Sequence, residues 1–437
     1  MHSAARRKNF VFALRQFAKG DTDYWSYKRM GQRPGLHGLI RYPAMMVPQK
    51  QSDVIEAAAR TLPALKHVID PFVGSGTTML ESIRRGFSFD GYDINPLAVL
   101  ICRAKLLSVS HRVVRTRIHA LLAAVAADHS KAVDVNFSGR DKWFTRQACI
   151  DLSRLRRAIL SESNTQVRLF LWVLLAETIR QTSLSRETTY KLHIRPLAEQ
   201  DEVERPQECF QRIAGQAIDR HLQHSSFNSV VPRARHQARL TCCDIRTAKL
   251  SSSRLAQLLI TSPPYGDNES TIPYGQFSYL ALKWISADDL EGDVELRQSA
   301  YAIDTASLGG SSRGYLERAL EMVAISPSFR TFFQNLAKQR RPDLEAKAAC
   351  FTADLFDAVG AALSQLEDEG LAVWTLGERR IGGVPVPLVD ICSELNEFFG
   401  MTRVTEVRRQ IQSKRMPHRN SRGSTMATET MLVMAKG

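Results

Sequence analysis

The sequence predicts an α/β fold in which a parallel sheet flanked by helices is interrupted by a large helical insertion, and three observations predict it. Short apolar runs suit buried strands, among them Val68 with Ile69, residues 258–260, and LAVWTL at 371–376. Amphipathic segments such as FTADLFDAVGAALSQL, residues 351–366, alternate with those runs, the order expected of a parallel sheet. Between about Ser108 and Gln237 the chain is instead rich in Leu, Ala, Arg and Gln at helical spacing. Three regions follow: 1–107, which carries the first strand and turn signals; 108–237, an all-helical insertion; and 238–437, where strands and helices resume. Two polar stretches with Gly and Ser, residues 304–314 and 414–425, read as mobile loops.

A chain of 437 residues can bury a large core, as two or three domains or as one catalytic domain with an insertion. Hydrophobic residues make up 44% and charged residues 24%, with neither a membrane-length apolar run nor a signal-peptide core, so a cytoplasmic protein without a membrane partner is expected. The seven cysteines form no C-x-x-C pair and no zinc-type spacing with His, which predicts reduced thiols and no metal. A net charge of +14 favours an anionic partner, because clustered Lys and Arg release the counterions condensed on a phosphate backbone.

The first chemical motif spans residues 67–96, HVIDPFVGSGTTMLESIRRGFSFDGYDINP. Val68 and Ile69 suit a strand, Gly74 and Gly76 permit a tight turn, and residues 77–85 read as a helix whose first N–H groups face an anionic group. A second strand, FDGYDI, places Asp93 at its carboxyl end, where a carboxylate can accept both hydroxyls of a ribose. The pair implies a nucleoside-containing cofactor. Met79 stands where a dinucleotide fingerprint needs its third glycine, and no G-K-[ST] is present, so neither NAD nor ATP is favoured.

The second motif is LLITSPPYGD, residues 258–267. Pro263 and Pro264 cannot extend a sheet ladder, so the chain leaves the sheet there, at the end where doubly wound sheets bind ligands. The turn offers acceptors, the Ser262 hydroxyl and backbone carbonyls, beside the flat ring of Tyr265. Acceptors beside a ring fit a planar group bearing an exocyclic NH2, as an extruded nucleobase does. A merely rigid turn is the structural alternative.

DPFVGSGTT, followed by DINP and later by TSPPYGD, resembles the amino-group family of S-adenosylmethionine-dependent DNA methyltransferases, which methylate cytosine N4 or adenine N6. HGLIRYPAMMVPQ, residues 37–49, is similar to the family segment preceding the glycine motif, and TMATETMLVMAKG, residues 425–437, to its closing hairpin. The resemblance covers the regions before and after the insertion. It implies a Rossmann-like, mostly parallel seven-stranded sheet with an antiparallel last strand. It places S-adenosylmethionine on Asp70, Phe72, Gly74, Gly76 and Thr77, its ribose on Asp93 and its adenine near Asp244. It makes Ser262, Pro263, Pro264 and Tyr265 the catalytic loop, and serine at the first position is commoner among cytosine-N4 enzymes.

The implied reaction is direct transfer. The Ser262 hydroxyl and Pro263 carbonyl accept from the target amine, and Tyr265 stacks on the flipped base. No cysteine nucleophile is required, and Cys242 and Cys243 read as buried strand residues. The partner implied is double-stranded DNA, with a cognate restriction or defence component compatible with the resemblance. Arg408, Arg409, Lys414, Arg415, Arg419 and Arg422 suit a phosphate-gripping hairpin. In the insertion, residues 183–196 combine Arg186, Lys191, His193 and Arg195 with Tyr190, a set able to meet nucleic acid or to form a salt-bridged surface. The insertion departs from the family by separating the ribose-binding acid from the catalytic loop. Alternatives are adenine N6, an RNA guanine-N2 amine, and a nucleic-acid-binding protein with an inactive methyltransferase domain.

Overall fold

The computed structural model describes residues 2–19, 21, 23–27, 31–62, 64–227, 238–248, 254–267, 271–411 and 428–437. Its strands are β1 (His67–Asp70), β2 (Ser88–Asp93), β3 (Ala238–Cys242), β4 (Ala256–Thr261), β5 (Leu366–Gly377), β6 (Arg379–Ile381), β7 (Val384–Val386), β8 (Met401–Gln410) and β9 (Thr428–Lys436). Seven form one sheet in the order β3-β2-β1-β4-β5-β9-β8, and β6 with β7 makes a separate hairpin. The sheet is parallel except for β9, which lies antiparallel between β5 and β8. This is the Rossmann-like methyltransferase architecture, with its last strand reversed. The chain runs outward from β1 through β2 to β3 and returns to β4 on the other side of β1, so the strand order switches between β1 and β4. Their carboxyl ends therefore flank the crevice where open α/β sheets take ligands.

Both faces of the sheet are covered, as a parallel sheet requires. Side chains alternate: Val68, Leu258, Val373 and Val433 enter one apolar cluster, and Ile69, Leu259, Trp374 and Leu432 the other. Helices Tyr315–Ile325, Pro327–Ala337, Pro342–Leu363 and Leu388–Phe398 contribute to the second cluster. Pro48–Thr61, Thr77–Arg84 and Pro96–Lys105 contribute to the first.

Within residues 108–237 the longer helices are His111–Ala127, Arg146–Leu160, Thr165–Thr182 and Pro206–Phe227. Side-chain oxygens of Ser110, Thr145 and Asn164 cap the first three by accepting from the N–H groups of Val113, Ala148 and Val167. Helix Thr165–Thr182 is apolar nearly all round and is buried accordingly, with no exposed surface from Phe170 through Leu175. It belongs to the same cluster as β1 and β4. Asp289, beyond β4, accepts from the Trp172 indole at 2.8 Å and pairs with Arg168 at 2.8 Å, so polar bonds join this segment to the third region.

Two expectations change. The stretch 304–314 is not loop throughout, because helix Ala302–Ala306 covers its start and Asp304 is buried, accepting from the Gly275 N–H at 2.8 Å. Cys242 and Cys243 are half-buried rather than buried, since they occupy and follow the last position of β3, the edge strand. Residues 414–425 lie outside the described residues. Among the described residues, no helix is long and apolar enough to cross a membrane.

Candidate active site

The turn after β1 requires its glycines. Gly74 and Gly76 take φ of 49° and 74°, in the left-handed region. Gly76 caps helix Thr77–Arg84, and a Cβ there would sit 2.9 Å from the Cys102 sulfur and 3.0 Å from Cε of Met79. The turn is tied down from below, where the buried Lys105 ammonium donates to the Ser75 carbonyl at 2.6 Å and burial pushes its pKa down to about 8. Thr77 is buried, with its hydroxyl 3.5 Å from that of Ser75, and Phe72 is half-buried.

Asp93 closes the turn from β2. Its carboxylate accepts from the Gly74 N–H at 2.9 Å and the Asn95 N–H at 2.8 Å, yet burial outweighs those bonds and raises its pKa to about 6. Each oxygen keeps a free lone pair, so the half-buried carboxylate can still accept a hydroxyl. Asn95 donates to the Tyr42 hydroxyl at 3.1 Å and to Ser278 at 2.7 Å. Tyr42 lies beside Gly74 and packs on Tyr274 and Phe277, with ring centroids 5.8 and 5.6 Å away. The left-handed glycines, the helix N-terminus and the acid at the end of β2 fit a nucleoside cofactor with an anionic tail.

Asp70 ends β1, where the turn begins. It has no exposed surface and accepts from the Thr261 hydroxyl at 2.6 Å and the Phe72 N–H at 3.1 Å, bridging β1 to β4. Burial raises its pKa to about 7 against those bonds. It holds the turn in place from beneath. Asp244, half-buried just past β3, is bound by Arg246 at 2.6 Å, and Arg246 also pairs with Asp354. That carboxylate is already neutralised by a neighbouring cation.

The catalytic-loop candidates follow β4 directly. The register Val68↔Leu258 and Ile69↔Leu259 sets the loop beside the glycine turn. Ser262 Oγ lies 3.0 Å from the Tyr265 hydroxyl, which donates to Glu429 Oε1 at 3.2 Å. Pro263 is buried and Pro264 half-buried. Outside the loop, Arg379 on β6 donates to the Tyr265 carbonyl at 3.4 Å and pairs with Asp267 at 2.7 Å, both side chains nearly buried. A Cβ on Gly266 would fall 0.9 Å from that guanidinium, so a larger residue there would displace Arg379.

Comparison with known proteins bears on this arrangement. The chain is 26% identical to the Type II methyltransferase M.MvaI of Kocuria varians over 449 residues, covering 98% of this chain and 97% of that protein. That likeness supports a methyltransferase. A shorter match, 34% over 71 residues, links 16% of this chain to 13% of the Type II methyltransferase M.MjaII of Methanocaldococcus jannaschii. Two structures of the rRNA methyltransferase aviRa from Streptomyces viridochromogenes align at 10% identity with TM-scores of 0.32 and 0.31, over 91% of this chain and 88% of theirs. No family model matches the chain.

The nucleic-acid candidates separate. Arg408 is exposed and paired with Glu406 at 3.1 Å, whereas Arg409 turns inward onto Glu429 at 2.6 Å, because neighbouring strand residues face opposite sides. Arg409 is thus not a surface cation as expected. Lys414, Arg415, Arg419 and Arg422 lie outside the described residues. In the segment 183–196, Arg195 is held by the Ser183 and Ser185 carbonyls and Glu187, while Arg186 and His193 are exposed. The Tyr190 ring lies 6.0 Å from Phe277, which in turn packs on Tyr42 beside the glycine turn. Among the described residues, no group of three or more His, Cys, Asp or Glu is placed to hold a metal.

Sequence reasoning missed Lys50, Glu429, Arg379, Lys105 and Tyr42. A signal existed for Glu429, an acid opening the apolar run of β9, and for Lys105, a cation closing a helix whose other buried residues are apolar.

Proposed function

We propose that the chain is a site-specific DNA methyltransferase that transfers a methyl group from S-adenosylmethionine to an exocyclic amine of a flipped-out base, cytosine N4. The observation that carries this reading is the register of β1 with β4, which sets the glycine turn and the acceptor-bearing loop side by side. The near full-length likeness to a Type II methyltransferase supports DNA as substrate. Ser262 at the head of the loop favours cytosine over adenine.

The turn at Gly74 and Gly76 and the N-terminus of helix Thr77–Arg84 would receive the amino-acid end of the cofactor, and Asp93 its ribose. When bound, S-adenosylmethionine would supply a sulfonium-activated methyl group to the lone pair of that amine. Ser262 Oγ and the Pro263 carbonyl accept the amine N–H groups and turn its lone pair out of the ring plane. Tyr265 presents its ring to the base, and stacking of about 1–3 kcal/mol offsets part of the extrusion cost. Arg379 keeps the loop rigid from outside. Target recognition falls to the helical insertion, whose Tyr190 reaches the site through Phe277.

Incubation with labelled S-adenosylmethionine and duplex DNA, followed by nucleoside mass spectrometry, tests the reading. N4-methylcytosine is expected. Labelled tRNA with unlabelled DNA overturns the substrate, and N6-methyladenine overturns the base. Ser262→Ala should lower turnover with little change in cofactor affinity, and Asp93→Ala should chiefly weaken cofactor binding.

A further inference from the structure

We propose that Glu429 is a positioning residue that fixes Ser262 as a pure hydrogen-bond acceptor toward the target amine, acting through the Tyr265 hydroxyl; this deepens the reading above and rests on it. The argument is one of donor inventory. Glu429, nearly buried at the start of β9, divides its two oxygens. Oε2 takes the Lys50 ammonium at 3.0 Å and the Arg409 guanidinium at 2.6 Å, and Oε1 takes the Tyr265 hydroxyl at 3.2 Å. Lys50 also donates to Thr375 at 2.9 Å, so that cation is itself fixed. Burial alone would raise the Glu429 carboxyl, but the Lys50 and Arg409 charges prevail and hold it at about 2, ionised and acceptor-only.

A phenol has one hydrogen, and here it is committed to Glu429. In the 3.0 Å contact between Ser262 and Tyr265 the phenol oxygen must therefore accept and the serine must donate. With its single hydrogen turned away from the crevice, Ser262 Oγ presents lone pairs only, the polarity an incoming N–H requires. The proton order Ser262 to Tyr265 to Glu429 is set by two cations on other elements, Lys50 in helix Pro48–Thr61 and Arg409 on β8.

Glu429→Gln tests the direction of the chain. The two cations retain the amide carbonyl at the Oε2 position, which places the amide NH2 where Oε1 was. Tyr265 must then accept, its hydrogen passes to Ser262, and the serine hydrogen points at the substrate. Turnover of the variant should fall about tenfold or more, the loss of roughly one hydrogen bond at the transition state. The cofactor Kd should stay within about twofold of wild type, since the turn is untouched. Tyr265→Phe keeps the ring and removes the relay, so adding Glu429→Gln to that variant should cost less than about twofold. Equal losses in both backgrounds, or a parallel loss of cofactor affinity, would show a merely structural acid and overturn the relay. Wild-type labelling of DNA is the internal control: its absence overturns the DNA-methyltransferase reading on which the relay rests, whereas active wild type with additive losses overturns the relay alone.

Discussion

Thr261 and Asp70 show how one contact organises the crevice. The 2.6 Å bond joins the end of β4 to the end of β1, and it lies between the glycine turn and the loop after β4. Asp70 was readable as a motif residue, but its direction was not, because its partner lies 191 positions away. The same holds for Tyr265, whose ring was legible in TSPPYGD while the acid that receives its hydrogen lies 164 positions further on. The Asp70 carboxyl is raised from its ordinary 3.8 to about 7 by burial, so the folded chain holds this proton more tightly than the unfolded chain. Its contribution to stability is full below the unfolded value and is lost as pH rises toward about 7. Asp70→Asn, neutral throughout, should therefore gain on wild type in denaturation midpoint as pH rises from about 4 to about 7. A difference that stays constant across that window would contradict the assignment.

At the scale of elements, the turn and the strands beside it were the most legible parts. Glycines at 74 and 76 declared a conformation that other residues resist, and β1, β4 and β5 announced themselves as apolar runs. β8 and the clasp on the loop were not legible, since Arg408 and Arg409 look alike in sequence and only strand alternation separates a surface cation from one bound to Glu429. Gly76→Ala is the test of the turn. Its φ of 74° strains an L residue, and its Cβ would press on Cys102 and Met79, so a loss of about 1–3 kcal/mol is expected with weakened cofactor binding. Denaturant titration and calorimetry of cofactor binding read both effects; an unchanged affinity would show that the turn does not face the ligand.

Across the whole molecule, the helical region shares one hydrophobic core with the sheet. Helix composition was visible in residues 108–237, but its burial against the sheet was not, because periodicity reports that a face is apolar without saying what covers it. Trp172 and Arg168 meet at Asp289, and Asp289→Ala should cost about 1–3 kcal/mol while the chain still unfolds in one cooperative transition. Two separated transitions would mean that the helical region folds alone. The cations divide as well, since Lys50 and Arg409 bind the buried Glu429 while Arg186 and Arg408 remain exposed.

The central claim is that the loop after β4 delivers an exocyclic amine of DNA to a methyl group held at the turn after β1. Mass spectrometry of nucleosides from duplex DNA incubated with the wild-type chain and labelled S-adenosylmethionine tests it most directly. The account predicts labelled N4-methylcytosine from wild type and a strongly reduced yield from Ser262→Ala; label in RNA alone, or on cytosine C5, would contradict it.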